Sequence, residues 1–334
     1  MTAAGRHPRA VAGVLLAALL AVMAASLMVG DAALGVGDVL GALIGGGDPR
    51  HVFIVQDIRL PRILLGALIG ASLGLSGAAV QGLLRNPLAD PGVVGISASA
   101  GLGAVVALYY GIAASFALAV PLFAILFSLA ATAVLAWLAG RDASVLTLIL
   151  AGVAISSLAG ALIALAMNLS PNAYLLSDIV LWLLGSLANR SATEVILAGP
   201  FMGLGWALLL AAARHLPALT LGEEAAASLG VDLRHLRLQV IVGAALSVGA
   251  SVAVSGIVGF VGLVAPHLAR PFVGYDPGRL LVPSALGGAL LVVAADLLVR
   301  SGQGAAELKL GVVTALLGAP FFLWLVIHTR RTMR

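Results

Sequence analysis

The sequence predicts an all-α polytopic membrane protein with about ten transmembrane helices. Of its 334 residues, 61% are hydrophobic and only 10% are charged, whereas soluble domains carry about 25% charged residues. Apolar runs long enough to cross a bilayer recur along the whole chain. Structural disulfides and thiolate metal sites are excluded because the chain has no cysteine. We therefore expect a single transmembrane domain over residues 1–334.

Each predicted span is a run of roughly 20 apolar residues, the length that crosses a hydrocarbon core about 30 Å thick. The ten runs lie at 11–29, 60–84, 93–113, 115–138, 144–167, 193–213, 237–257, 258–273, 279–299 and 310–328. Only a few residues around Gly111 and Ser115 separate the third span from the fourth, and the eighth span is short. Residues 175–187 are apolar but too few to cross, so we expect a half-helix at the surface there.

The arginines indicate the orientation of the chain. An even number of spans places both termini on one side, and twelve arginines fall on that side against five arginines and one lysine on the other. Positive charge concentrates in cytoplasmic loops, so we expect cytoplasmic termini. Arg6 and Arg9 precede an apolar stretch that ends in Ala24-Ala25-Ser26, which leaves a signal peptide as the alternative for the first span.

Small residues in the second span predict close helix packing. Gly66, Gly70 and Gly74 recur every four residues, so one helix face carries almost no side chain. In addition, GASLGLSG at 70–77 and GASVAVSG at 249–256 share five of eight residues. These two segments lie in spans that cross in opposite directions, as an inverted repeat requires.

Motifs for chemistry on the chain itself are absent. The sequence has no G-x-x-x-x-G-K-[ST] loop and no H-E-x-x-H motif, so we expect neither nucleotide binding nor an embedded enzyme. The arginines do not cluster with aromatic residues, so we expect no nucleic-acid partner. Asp296 and His267 are the nearest candidates for the intramembrane acid or histidine of an ion-coupled carrier. A stand-alone secondary carrier remains the alternative function.

Residues 218–240, ALTLGEEAAASLGVDLRHLRLQV, interrupt the apolar runs with two short polar helices. Thr220 and Glu223 fit a Thr-x-x-Glu capping box at the start of the first helix. Gly230 would end that helix in a left-handed conformation, and Asp232 would cap a second helix that runs to residue 237.

One face of the first of these helices is suited to a partner. Leu221, Ala225 and Leu229 are spaced by four residues and share that face. Small residues between them would let the helix enter a groove on another protein. A solvated loop between the sixth and seventh spans is the alternative.

The segment that follows Glu223 resembles a motif of a known family. EAAASLG at 224–230 fits the E-A-A-x-x-x-G loop by which permease subunits of ABC importers contact their ATPases. Four further segments resemble the FecCD-type permeases for iron complexes, haem and cobalamin. They are RLPRILLGALIGASLGLSGAAVQGLLRNPLADPGVVGIS at 59–97, WLLGSL at 182–187, GFVGLVAPHLAR at 259–270 and GVVTALLGAPFFLWL at 311–325. The resemblance runs from about residue 30 to the C-terminus.

The resemblance implies the type II ABC importer permease fold, with ten spans per subunit. It implies a homodimer in the bacterial inner membrane that works with two ATP-binding subunits and a substrate-binding protein. ATP and Mg would be bound by the partner ATPase, and this chain would bind no cofactor. The cargo would be a bulky metal complex, a ferric siderophore ahead of haem or cobalamin.

The resemblance also assigns roles to matching residues. Coupling helices at about 220–237 would contact the ATPase through Thr220, Glu223, Glu224, Ala225, Ala226, Leu229 and Gly230. Arg59, Arg62 and Arg300 would receive acidic residues of the binding protein, through charge-assisted hydrogen bonds. Anchoring at the membrane interface with local partners such as Asp57 is the alternative role for these arginines.

A cytoplasmic gate is the third implied site. The resemblance assigns it to Asn86 and Leu88 in RNPLADPG at 85–92 and to Val145 and Leu146 in the 144–147 turn. In the same loop, two X-Pro steps should break the helix, and Asp90 should cap the third span.

One position departs from the family pattern. Where the family usually has E-L-P-[VI]-G, this chain has ELKLG at 307–311, so Lys309 replaces a helix-starting proline. A Glu307–Lys309 charge pair at the membrane interface is one explanation. The other is a cation at the mouth of the pathway that attracts an anionic chelate.

Overall fold

A computed structural model describes residues 8–116, 118–139, 145–301 and 308–332. The α-helices in these ranges are Pro8–Met28 (α1), Val36–Leu43 (α2), Pro49–Phe53 (α3), Leu60–Leu84 (α4), Ile96–Tyr109 (α5), Ile112–Ser115 (α6), Ala119–Ala139 (α7), Val145–Asn168 (α8), Ala173–Leu183 (α9), Ala192–Ala212 (α10), Glu223–Ser228 (α11), Leu233–Ser255 (α12), Val261–Ala269 (α13), Pro277–Ser301 (α14) and Leu310–Thr332 (α15). A helix satisfies its own backbone hydrogen bonds, as lipid requires. The all-α prediction is confirmed.

Every predicted span coincides with a helix, but not every helix is long enough to cross a bilayer. Within the described ranges, seven helices are long and apolar enough, and they match the first, second, fourth, fifth, sixth, seventh and ninth predicted spans. Of the other three, α5 has 14 residues and α13 has nine, and the apolar part of α15 that the structure describes runs over Leu310–Leu325. A 3-10 turn at Pro91–Val94 precedes α5 and another at Arg270–Val273 follows α13, and these turns take up chain that was assigned to the spans.

Two regions differ from the sequence-based prediction. Helices α2 and α3 were missed, and α3 continues through a π-helical turn at Ile54–Arg59 into α4, so the second span begins at Pro49. The half-helix predicted at 175–187 is α9. It is not confined to the surface, because Ile179 is fully buried.

Helices α4 and α12 form the centre of the bundle. In their most apolar parts 78% and 83% of the residues are buried, against 11% in α1. Helix α4 packs on α14 through its glycine face, where a Cβ atom on Gly70 would lie 2.2 Å from the Gly288 carbonyl oxygen. A Cβ atom on Gly74 would lie 2.0 Å from the Ser284 carbonyl oxygen. The predicted close packing of the second span is confirmed.

Serine hydroxyls join α4 to its other neighbours. Ser76 Oγ lies 2.8 Å from Ser247 Oγ on α12, and Trp206 Nε1 on α10 donates to Ser72 Oγ at 2.9 Å. Such interhelical hydrogen bonds substitute for water in the hydrocarbon region. The inverted repeat relating 70–77 to 249–256 stays a prediction.

Three helix ends meet where α12 stops. Ser186, just after α9, donates its N–H to the Ser255 carbonyl oxygen at 2.7 Å, and the N–H of Gly311 in α15 donates to the Leu184 carbonyl oxygen at 3.1 Å. Gly256 has a φ of 72°, and a Cβ atom there would lie 2.2 Å from the Trp182 carbonyl oxygen. Only glycine fits this position. Helix α12 therefore ends here, and α13 starts only at Val261, which accounts for the short eighth helix.

Candidate functional site

Four arginines line one cavity at an end of the bundle. The cavity has a volume of about 680 Å³. Its charged lining residues are Asp31, Asp57, Arg59, Arg62, Arg190 and Arg300. The structure thus brings together the three arginines predicted to receive the binding protein, and it adds Arg190, to which no role had been assigned.

Arg59 is held by backbone carbonyl groups of the same chain. Its side chain is 4% exposed, and its guanidinium donates to the carbonyl oxygens of Leu27 at 2.6 Å and Ala32 at 2.5 Å. These bonds fix the end of α1 and the chain that follows it to the π-helical turn before α4. Arg59 therefore has a structural role in this subunit, whatever else it binds.

Arg62 and Arg300 share the carboxylate of Asp296. Arg62 Nε and Nη2 donate to Asp296 Oδ1 at 3.0 and 2.8 Å, and Arg300 Nε lies 3.1 Å from Oδ2. Asp296 is 2% exposed. Asp296 is thus the counter-ion of two arginines, a partnership that the sequence analysis missed. The spacing of four residues between Asp296 and Arg300 on one helix was the available signal.

We expect Asp296→Asn to destabilise the subunit strongly. It removes the charge between two largely buried arginines, and breaking a buried ion pair costs about 3–5 kcal/mol. Thermal unfolding in detergent should show a lower midpoint for Asp296→Asn than for the control Asp31→Asn, which changes an exposed carboxylate beside the same cavity. Equal midpoints for the two variants would show that Asp296 is not needed to hold the arginines.

The predicted capping box in the loop at 220–237 is wrong. Thr220 lies in a 3-10 turn, Leu216–Leu221, where its hydroxyl donates to the Pro217 carbonyl oxygen at 2.7 Å. The N-cap of α11 is Gly222, whose φ of 103° is open to glycine but not to threonine. Glu223 instead accepts a hydrogen bond from Arg237 at 2.8 Å, which links the start of α11 to α12.

The end of α11 follows the prediction. Gly230 has a φ of 86°, its N–H donates to the Ala227 carbonyl oxygen at 2.9 Å and the Val231 N–H donates to the Ala226 carbonyl oxygen at 3.1 Å. These two bonds form a Schellman motif. Asp232 accepts from the His235 N–H at 2.9 Å as expected. The helix it caps, however, is α12 itself, so one short helix is present instead of two.

The residues predicted to contact an ATPase differ in solvent exposure. Leu221 is 68% and Leu229 is 65% exposed, and Glu224 is exposed as well. Ala226 is fully buried inside the subunit, so its side chain does not face a partner. Ala225 is half-buried. The surface that α11 and its flanking residues offer is therefore formed by Leu221 before the helix, Glu224 within it and Leu229 at its C-cap.

The predicted gate loop begins where α4 ends. Arg85 takes a left-handed φ of 50°, and Asn86 Oδ1 accepts from the Leu88 N–H at 2.9 Å. Asn86 is exposed and Leu88 is half-buried. This Asx turn fixes the loop immediately after the helix.

Asp90 does not cap the third span as predicted. Its side chain accepts from the Gly92 N–H at 2.8 Å and caps the 3-10 turn at Pro91–Val94. Helix α5 starts only after Gly95, whose φ is 84°. Burial raises the pKa of the Asp90 carboxyl, and the bond from Gly92 partly opposes that shift.

The other half of the predicted gate lies at the start of α8. Val145 is the first residue of α8, but its side chain and residue 144 lie outside the described part of the chain. Leu146 is 63% exposed. One turn further, Leu148 lines a small apolar cavity together with Leu84 of α4. The start of α8 is therefore adjacent to the end of α4, and the gate itself stays a prediction.

A second polar cavity lies between the predicted gate loop at 85–92 and the segment at 220–237. It has a volume of about 300 Å³ and its lining includes Arg85, Pro87, Thr220, Arg270 and Tyr275. Arg270 donates a hydrogen bond to Gln81 Oε1 of α4 at its edge. Thr220 therefore lies close to the loop that carries Asn86 and Leu88, which the sequence alone did not predict.

Lys309 starts α15 without the family's proline. The Lys309 carbonyl oxygen accepts from the N–H groups of Val312 and Val313 at 3.1 and 3.2 Å, so the first helical turn is intact. The Lys309 side chain is half-buried. Its suggested partner Glu307 lies outside the described residues, so the choice between the two explanations of Lys309 stays open.

The chain is similar in sequence to known transport proteins over most of its length. Residues 6–328 match the model of the FecCD transport family. The chain belongs to this family. Over 296 residues it is 44% identical to an uncharacterised ABC transporter permease protein, YvrB, of Bacillus subtilis, covering 87% of this chain and 83% of the relative.

A second relative and a solved structure agree with this family assignment. The hemin transport system permease protein HmuU of Yersinia pestis is 39% identical over 292 residues, covering 84% of each chain. A solved structure described as an inward-facing conformation of a metal-chelate type ABC transporter superposes with a TM-score of 0.84 at 33% identity, covering 96% of this chain and 99% of the other. This FecCD chain is thus a multi-span transport permease and not an enzyme.

Proposed function

We propose that this permease is the membrane-spanning subunit of an ATP-driven importer that moves a bulky metal complex by alternating access. The observation that carries the proposal is the exposed apolar surface on α11. Leu221, at the end of the preceding 3-10 turn, and Leu229, the C-cap of α11, are largely exposed, and the helix between them is fixed by a Schellman motif and an ion pair to α12. A rigid helix with an apolar surface outside the bundle is suited to docking in a groove of a second protein.

The partners follow from this arrangement and from the family. We propose a dimer of two copies of this chain, two ATP-binding subunits that bind ATP and Mg, and an extracytoplasmic substrate-binding protein. The dimer would lie in the bacterial inner membrane with both termini in the cytoplasm. The α11 surface would contact the ATPase, and the arginine cavity would face the binding protein.

Movement of α11 can reach the proposed gate by a short route. Thr220 and Pro87 line the same cavity, and Glu223 is bonded to Arg237 of α12. A displacement of the 220–237 segment would therefore act on the loop with Asn86 and Leu88 and on the central helix α12. Such coupling requires the ATPase to bind one state of the permease more tightly than the other.

The cargo class follows from the relatives, which include a hemin permease and a metal-chelate type transporter. Within that class, a ferric siderophore ahead of haem or cobalamin stays a prediction. Identification of the metal complex that the partner binding protein retains on purification would decide it.

Transport by reconstituted protein tests the proposal. Uptake of the metal complex retained by the binding protein into proteoliposomes should require the permease, the ATPase, ATP and the binding protein together. The control is the permease alone in the same liposomes. Accumulation against a gradient by the permease alone would contradict the proposal and support a stand-alone secondary carrier.

A further inference from the structure

An apolar groove runs along the outside of the bundle between α10 and α14. Its floor is one face of α4, on which Leu64, Ala71 and Leu75 recur at helical spacing. The groove has a volume of about 430 Å³, within the range of about 300–1,000 Å³ that is usual for small-molecule sites. From Leu64 to Leu75 the floor is about 16 Å long, at about 1.5 Å per residue.

The side chains that line the groove are all hydrophobic. Trp206 of α10 lines one wall, and its single polar atom, Nε1, donates to the buried Ser72 Oγ at 2.9 Å. Ala285 and Ala289 of α14 line the opposite wall. Because its N–H is bonded within the bundle, the Trp206 ring presents carbon atoms to the groove.

The groove faces lipid. The helices that line it are α1, α4, α10 and α14, and each of them belongs to a helix that is long and apolar enough to cross a bilayer. Leu64, Leu210 and Val282, which line the groove, are between 37% and 47% exposed. In a membrane, the occupant of such a groove is either an acyl chain or another transmembrane helix.

One end of the groove is closed and carries positive charge. Helices α10 and α14 meet at this end, where a Cβ atom on Gly278 would lie 2.4 Å from the Ala213 carbonyl oxygen. Arg214 follows directly after this contact and is exposed. Arg279 lies at the same end, but its Nε is 3.4 Å from Asp276 Oδ2, so this pair adds no net charge.

A second arginine without a carboxylate partner lies at this end. Helix α1, whose Leu19 also lines the groove, runs parallel to α14, because Arg300 near the end of α14 donates to the Val29 carbonyl oxygen just after α1. Arg9 at the start of α1 therefore lies at the end of the bundle where α14 begins. Arg9 is exposed, and in the described part of the chain neither Arg9 nor Arg214 pairs with a carboxylate.

We propose that this groove binds an anionic phospholipid, with an acyl chain on the α4 face between α10 and α14 and the phosphate at Arg9 and Arg214. Basic residues at the end of a groove between membrane helices are suited to an anionic headgroup. A second copy of the chain fits the groove less well. A two-fold dimer through this face would bring the same positive charges of both copies together.

The inference goes beyond the proposed function and does not depend on the cargo. Only the assignment of this end to the cytoplasmic leaflet rests on the proposed orientation.

Quenching of Trp206 fluorescence by brominated lipid tests the inference. The permease is reconstituted in phosphatidylcholine vesicles, in which a small fixed share of the lipid is phosphatidylglycerol or phosphatidylcholine with brominated acyl chains. The Trp206 signal is the difference between the wild type and Trp206→Phe. Brominated phosphatidylglycerol should bind about fivefold more strongly than brominated phosphatidylcholine, and this preference should fall at high salt.

Three variants make the result specific. Arg9→Gln combined with Arg214→Gln should remove the preference and leave quenching by phosphatidylcholine unchanged, since both side chains are exposed. Arg50→Gln, which changes an exposed arginine outside the groove, should keep the preference. Ala285→Phe should reduce quenching by both lipids, because its ring takes the place of the acyl chain.

The inference is overturned if the two brominated lipids quench Trp206 equally, or if the preference survives in the double arginine variant. The groove would then be an ordinary lipid-facing surface. It is also overturned if neither lipid quenches Trp206, because the groove would then be covered by protein, such as a second copy of the chain. In each of these cases the importer function stands, since the uptake experiment tests it separately.

Discussion

Leu229→Asp, alone or with Leu221→Asp, should abolish ATP-driven uptake while the subunit stays folded. Both leucines are about two-thirds exposed in the isolated chain, so a change of side chain there should alter folding stability by no more than about 0.5 kcal/mol. In the proposed complex the same side chains enter an apolar groove of the ATPase, where an unpaired carboxylate carries a large desolvation penalty. Co-purification of the ATPase and ATP-dependent uptake are the measurements.

The control is Arg279→Ala, which alters an exposed side chain that pairs with neighbouring Asp276, outside the 220–237 segment. The Arg279→Ala variant should still co-purify with the ATPase and support ATP-dependent uptake. Ala226→Trp is not a useful substitute for the leucine variants. Ala226 is fully buried, so a tryptophan there would overpack the loop and would not test the partner surface. If the ATPase co-purified normally with the Leu229→Asp variant, α11 would not be part of the interface with the ATPase.

The spans were predictable because lipid imposes a length and an apolar composition that can be counted along the sequence. The bounds predicted for the second span, 60–84, coincide with those of α4, since the X-Pro steps and the left-handed Arg85 stop the helix there. Hydropathy did not show which helices are central. Helix α8 is more apolar than α12, yet only 17% of its most apolar part is buried against 83% for α12.

The parts that were missed depend on contacts distant in sequence. The end of α12 at Gly256 is set by the Trp182 carbonyl oxygen, which lies against Gly256, and by the Ser186 N–H, which donates to Ser255, and no local signal reports these contacts. The predicted docking arginines were correctly grouped, but Arg62 and Asp296 are 234 residues apart. Their pairing required the three-dimensional structure.

Gly74→Ala should strongly destabilise the folded subunit. A Cβ atom at residue 74 would lie 2.0 Å from the Ser284 carbonyl oxygen and 2.8 Å from its carbon, which are backbone atoms and cannot rotate away. Helix α14 must then move away from α4, and overpacking of this kind costs about 1–3 kcal/mol or more. We expect a lower unfolding temperature in detergent and a lower yield of monodisperse protein.

Gly160→Ala is the control for this variant. Gly160 lies inside α8, and apart from its own helix backbone no atom of the described residues lies within 4 Å of its added Cβ, so the same chemical change should have little effect there or slightly favour the helix. If both alanine variants unfold at the wild-type temperature, α4 and α14 do not approach each other as closely as the structure shows.

The same helix pair carries the Arg62–Asp296 contact, so the two sites should be coupled. If Gly74→Ala separates α4 from α14, part of the bonding between Arg62 and Asp296 is lost before either residue is changed. Asp296→Asn should then cost less in the Gly74→Ala background than in the wild type. A double-mutant cycle measures this difference. If the two destabilisations were strictly additive, α14 would bend only locally where it meets residue 74 of α4. The arginine cavity would then be independent of the glycine packing that lies deeper in the bundle.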